Sequence, residues 1–295
     1  MTHTFLESTP SAARFAAAPA VAAMLWSHIV ARILRNSSAP GRAPRHRRGL
    51  AALACLALGA AVAHADDTQW RDTEARVQYG YYTEDARSLS NVAEALGGSD
   101  AHGKLAGYYA ALANWRLGLL AAQSPAAVKG ATAAQLLERC VHELDGVLEA
   151  QAEFADGLAL RAACAVTPAG GANLHVPFTG PKPHKDIERA LSLAPKNPRV
   201  LFVDAMSDYL LAPAAGGNKE RALAKLRTAV AAFEVERAGP EPLPGWGAAE
   251  AYLFLARDLL DHGDAVGARD ALEHALLLAP DYTQARRLMA KIASG

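Results

Sequence analysis

From Ala249 to Pro280 the chain places apolar residues three and four positions apart, twice over, with a short polar break between. Tyr252, Leu255, Ala256 and Leu259 fall on one face of a helix, and Ala268, Leu272 and Ala275 on one face of the next, because a helix turns once every 3.6 residues. Between them, Gly263 is placed to end the first helix and Asp264 to cap the second. Two short amphipathic helices cannot bury their apolar faces against each other alone, so further pairs must stack on them. The rest of the chain from Trp70 onward has the same texture, apolar helical stretches broken by Gly, Pro, Asn or Asp. Strict alternation and β-branched enrichment, the marks of strands, are missing from it. Alanine dominates the apolar residues and aromatics are 6% of the total, which favours closely packed helices over sheet.

In the unit 249–282 a large residue stands fourth (Tyr252) and a small one eighth (Ala256). Ala268 and Ala275 stand twentieth and twenty-seventh, and Pro280 follows the second helix. This pattern resembles the tetratricopeptide repeat, a helix–turn–helix of about 34 residues. Upstream, Ile187, Ala190 and Pro195 repeat the ending, and Ala222, Leu226 and Ala229 take second-helix places after Leu201 and Ala205. The resemblance implies an all-α, right-handed solenoid of antiparallel helix pairs, here with irregular long loops. Residues 66–152 then form an N-terminal helical region of degenerate repeats, with Gln69–Leu96 and Ala101–Gln151 reading as long helices. Residues 153–295 carry the clearer repeats and a capping helix over 282–294. It also implies a concave face lined by first helices, which places Arg199, Phe202, Met206 and Tyr209 on one unit and Glu250, Leu253, Arg257 and Asp261 on the last. The plain alternative for these eight is a solvated, partly packed face.

The first 65 residues read as an extension plus an address. Arg42, Arg45, Arg47 and Arg48 precede an uncharged apolar run, Gly49–Val62, and then Ala63-His64-Ala65. A basic region, a short apolar segment and a small-x-small triplet are the parts of a secretory signal peptide. The run is 14 residues long, short of the roughly 20 needed to span a bilayer. Cleavage is expected after Ala65, giving a periplasmic or secreted protein with no membrane span in the mature chain. Cys55 lies too early in the apolar run, behind Ala52-Leu53-Ala54, for a lipid-attachment site. Residues 1–41 are unusual ahead of such a signal, which suggests a start downstream of Met1, at Met24 or another codon; a genuine helical extension is the rival reading.

Seven basic residues and one acid lie in that segment, leaving 23 basic against 29 acidic residues from Asp66 onward. A mildly acidic chain is a poor partner for a phosphate backbone, so nucleic acid is not expected. Cys140 and Cys164 remain after cleavage, about 12 residues on either side of a turn near 151–153, and so at similar height on adjacent helices. They are either bridged or two buried thiols. The histidines show no metal-ligand spacing. His175, His184 and Asp186 beside the 167–183 loop mark either a ligand site or a surface insertion. Trp246, in the segment 238–246, would staple that loop onto the last repeat, pack in the core or stack on a ligand. No nucleophile elbow, phosphate loop or dinucleotide fingerprint is present.

These readings point to a non-catalytic extracytoplasmic scaffold that holds a protein or peptide, without cofactor or metal. The alternative is a small-ligand-binding protein associated with a transporter, its pocket beneath the long loops and walled by Trp246 and Tyr209.

Overall fold

A computed structural model describes residues 68–97, 103–169, 183–239 and 243–294. The proposed signal segment 42–65, its cleavage site and most of the 167–183 loop, His175 included, lie outside the described residues. Helix α1 covers residues 68–82. It is followed by α2 (Ala86–Leu96), α3 (Gly103–Gln123), α4 (Ala133–Ala150) and α5 (Ala155–Val166). Then come α6 (Pro183–Leu193), α7 (Pro198–Leu210), α8 (Lys219–Arg237), α9 (Ala248–Asp261), α10 (Ala265–Leu278) and α11 (Thr283–Ser294). Among the described residues the fold is all-α, without strands, and no helix is long and apolar enough to cross a membrane.

Local chemistry sets the boundaries. Gln69–Leu96 is two helices rather than the single long one its composition suggests. Glu84 takes a positive φ of 59° and the Asp85 carboxylate accepts from the Ser88 N–H, which starts α2 afresh. Ala101–Gln151 also breaks, after Gln123, and α4 begins at a capping box formed by Thr132 and Gln135. Such reciprocal bonds satisfy backbone donors that the first turn leaves unpaired. Asp264 accepts from the Gly267 N–H as the N-cap of α10, and Gly263 makes the preceding turn at φ 79°.

From α2 to α11, each helix packs against the next in sequence. The odd members also touch across the pairs, α3 with α5, α5 with α7 and α7 with α9. Two rows result, and burial tells them apart. In α3, fourteen of the 21 residues are buried, including Arg116 and Asn114, and α5 is buried nearly all round. By contrast α8 buries one stripe, Ala222, Leu226, Ala229 and Phe233, and α10 another, Ala268, Ala271, Leu272 and Ala275. Helices α3, α5, α7 and α9 therefore form an inner row, and the even helices an outer row. Small residues permit the close approach: a Cβ on Gly107 of α3 would come within 2.6 Å of Val147 on α4.

Cys140 on α4 and Cys164 on α5 are joined by a disulfide. Two arginines tie the rows further. Arg161 on α5 makes two bonds to Asp186 on α6 and one to Asp145 on α4, at 2.7–2.8 Å. Arg199 on α7 bonds both oxygens of Glu236 on α8 and also Asp156 on α5. Each planar guanidinium meets two carboxylates at once, an arrangement a lysine could not copy.

Candidate functional site

The inner row does not enclose an open groove. Helix α1 lies along it and makes contacts at both ends of the arc. Trp70 stacks on Tyr109 of α3 with ring centroids 5.9 Å apart. At its other end the Tyr82 hydroxyl donates to Glu250 of α9 at 3.0 Å, and Tyr82 packs on Tyr282 just before α11. Directly across the arc, Arg116 of α3 pairs with Glu250, both buried. The Arg116 guanidinium also lies 4.2 Å from the Tyr81 ring, 4.5 Å from Trp115 and 5.1 Å from Trp246. Burial works against its charge, but Glu250 and the surrounding tyrosines outweigh that and raise its pKa. Burial also pushes the hydroxyls of Tyr82, Tyr108 and Tyr282 well above their ordinary pKa.

This filling decides the fate of the eight groove candidates. Arg199, Phe202, Met206, Glu250 and Leu253 are buried and line no open face. Phe202 packs on Phe254, Arg199 serves as the tie just described, and Glu250 is closed off by Arg116 and Tyr82. Arg257 is half-buried and bonds Gln284 of α11. Tyr209 and Asp261 lie nearer the surface, where the Tyr209 hydroxyl donates to Asp261 at 3.0 Å and Lys219 pairs with the same carboxylate. Trp246 is wholly buried, its indole N–H donating to the Tyr108 hydroxyl at 2.7 Å and its ring 5.4 Å from Trp115. It therefore fastens its segment to α3.

A cavity of about 380 Å³ does open beside α1, between that helix, the end of α8 and the segment leading into α9. Arg71, Ala75, Gln78 and Tyr82 line it from α1, Phe233, Glu236 and Arg237 from α8, Leu243 and Gly245 from the last segment, and Ala248 from the start of α9. Gly247 in that wall has φ 115°, and a Cβ there would come 2.8 Å from Phe233, so the chain passes close to α8 only because the residue is glycine. Glu74 sits at the floor, 8% exposed. Its oxygens accept from the Gly245 N–H at 2.9 and 3.1 Å, the Tyr109 hydroxyl at 2.8 Å and the Gln78 amide at 3.3 Å. Burial raises its pKa, and the bonds from Gly245 and Tyr109 offset that in part. Glu74, Arg116 and the cleft escape sequence reading because α1 carries no repeat signature to announce that it fills the arc.

Among the described residues no three His, Cys, Asp or Glu side chains cluster as a metal site would require. Compared with known protein families and with curated proteins, the chain matches no family model and no curated sequence.

Proposed function

We propose that this chain is a non-catalytic, extracytoplasmic binding protein built from tetratricopeptide-type helix pairs, and that it takes a small ligand in the cleft beside α1. The repeat reading is supported by Ala256, Ala268 and Ala275, all wholly buried where α9 meets α10, and by the two-row packing. Export rests on the basic, apolar and small-x-small sequence of 42–65. One observation carries the choice of ligand. The face that would hold an extended peptide is occupied by α1, whereas the cleft beside it has the volume of a small-molecule site, for which roughly 300–1,000 Å³ is usual. A protein-binding scaffold is the second reading, favoured by Val235, Val266 and Leu277, large apolar residues exposed on α8 and α10.

The test compares the mature chain with an Ala75→Trp variant, since Ala75 is exposed and lines the cleft. Both are passed through envelope extract, washed, denatured and analysed by mass spectrometry. A small molecule retained by the parent and lost from the variant is the expected result. Protein partners recovered equally with both, and no small molecule, would move the reading to the scaffold.

A further inference from the structure

We propose that Glu74 is a proton-operated latch on the cleft: with its proton bound it holds residues 243–247 against α1, and without the proton that segment loosens. The latch joins three parts of the fold. Glu74 belongs to α1, the Tyr109 hydroxyl to α3, and the Gly245 N–H to the segment leading into α9, 171 residues further along the chain. Among the described residues the donors to Glu74 are neutral groups, Gly245, Tyr109 and the Gln78 amide.

Charged groups around it have their own engagements. Arg199 from α7 is the cation whose field reaches Glu74, but its fork is taken by Glu236 of α8 and Asp156 of α5. Arg237 of α8 pairs with Glu234, and Arg71 of α1 lines the cleft alongside Glu236. Tyr108 of α3 bonds Trp246 and stays neutral. An ionised Glu74 thus sits buried on neutral dipoles, a costly state. The geometry serves the neutral acid as well: Oε2 can donate its proton to the Tyr109 oxygen at 2.8 Å, while Oε1 accepts from Gly245 and Gln78.

The direction of coupling follows from burial. Released into water, Glu74 would titrate near its ordinary value of 4.5; closed, it holds the proton more tightly. Proton binding therefore favours the closed form. Below about pH 4.5 both forms are protonated and closure does not vary with pH. As pH rises from there through the raised value, closure weakens, and above it the dependence flattens again. In use, the cleft would retain its occupant in acid and exchange it more freely near neutrality. That consequence rests on the cleft being the binding site, whereas the latch does not.

The experiment needs no ligand. Amide hydrogen exchange at Gly245, Trp246 and Gly247 is followed from pH 4.5 to 8 and corrected for the intrinsic pH dependence of exchange, with α10 amides as the internal control. Protection of the three amides is expected to fall, by up to roughly tenfold for each unit by which closed and open proton affinities differ, while α10 is unchanged. In Glu74→Gln, which keeps the shape and cannot titrate, protection should be flat. A parallel reading in the unmodified protein is the Gly245 amide proton resonance, which should titrate with Glu74. Flat protection and an unmoving Gly245 resonance in the parent, or an equal slope in the variant, would overturn the latch. Neither outcome touches the cleft assignment, which stands or falls on the retained small molecule.

Discussion

Arg116 and Glu250 stand 134 residues apart in the chain and meet as a buried ion pair, joining the first helix of the inner row to the last. The aromatic rings of Tyr81, Trp115 and Trp246 enclose the guanidinium, so water cannot substitute for a lost partner. Glu250→Ala should therefore cost about 3–5 kcal/mol, the usual penalty for stranding a buried charge. The double variant Arg116→Met/Glu250→Leu should recover much of that loss. Urea denaturation of the three proteins checks both statements, and equal losses in the single and double variants would contradict them.

The Cys140–Cys164 bridge spans 24 residues and fastens α4 to α5. A closure of that length contributes about 3 kcal/mol, chiefly by restricting the unfolded chain. Reduction, or the Cys140→Ser/Cys164→Ser pair, should lower the urea midpoint accordingly while far-ultraviolet circular dichroism in buffer stays helical.

Trp246 combines a large buried ring with one hydrogen bond to Tyr108. Trp246→Phe removes the bond and part of the ring, and Trp246→Ala empties the site, for which about 3–5 kcal/mol is expected. The phenylalanine variant should fall clearly between the alanine variant and the parent in thermal unfolding.

Asp258 is wholly buried, and neither of its carboxylate oxygens accepts a hydrogen bond from the described residues. The His262 ring lies beside it, with Nδ1 3.4 Å from Oδ1. Burial raises its pKa, so the folded protein binds this proton more tightly than the unfolded chain does. Stability from this group is complete below the unfolded value and is lost as pH rises through the folded one. Asp258→Asn should therefore unfold at a higher temperature than the parent at pH 7, with the gap closing near pH 3. A gap that widens in acid would contradict this sign.

Which parts of this architecture were legible depends on how local their causes are. The α9–α10 pair was readable because Tyr252, Ala256, Ala268 and Ala275 follow a short period and Asp264 caps its own helix. The break after Tyr82 was not, although Thr83-Glu84-Asp85 is polar, because those residues also suit an exposed helix face; the Asp85 cap and the Glu84 turn are what interrupt the helix. Five of the groove candidates are buried, for a longer-range reason. A repeat pattern says which side of a helix faces inward, but not that another helix already lies there. Glu250 looked like a solvated acid until Tyr82 and Arg116, from distant parts of the chain, covered it. Glu74 had no sequence signal at all: its significance arises from Gly245, whose backbone N–H is invisible to any residue pattern.

A solenoid with open ends can gain or lose a unit at little cost, since each neighbour sees only the next. Here the first and last inner helices clasp each other through Arg116 and Glu250, with α1 laid between them. Adding or deleting one helix pair would carry that clasp out of register, so the contact fixes how many helix pairs can lie between its two ends. Its stability should accordingly belong to the arc as a whole, lost in one step and not peeled away from either end.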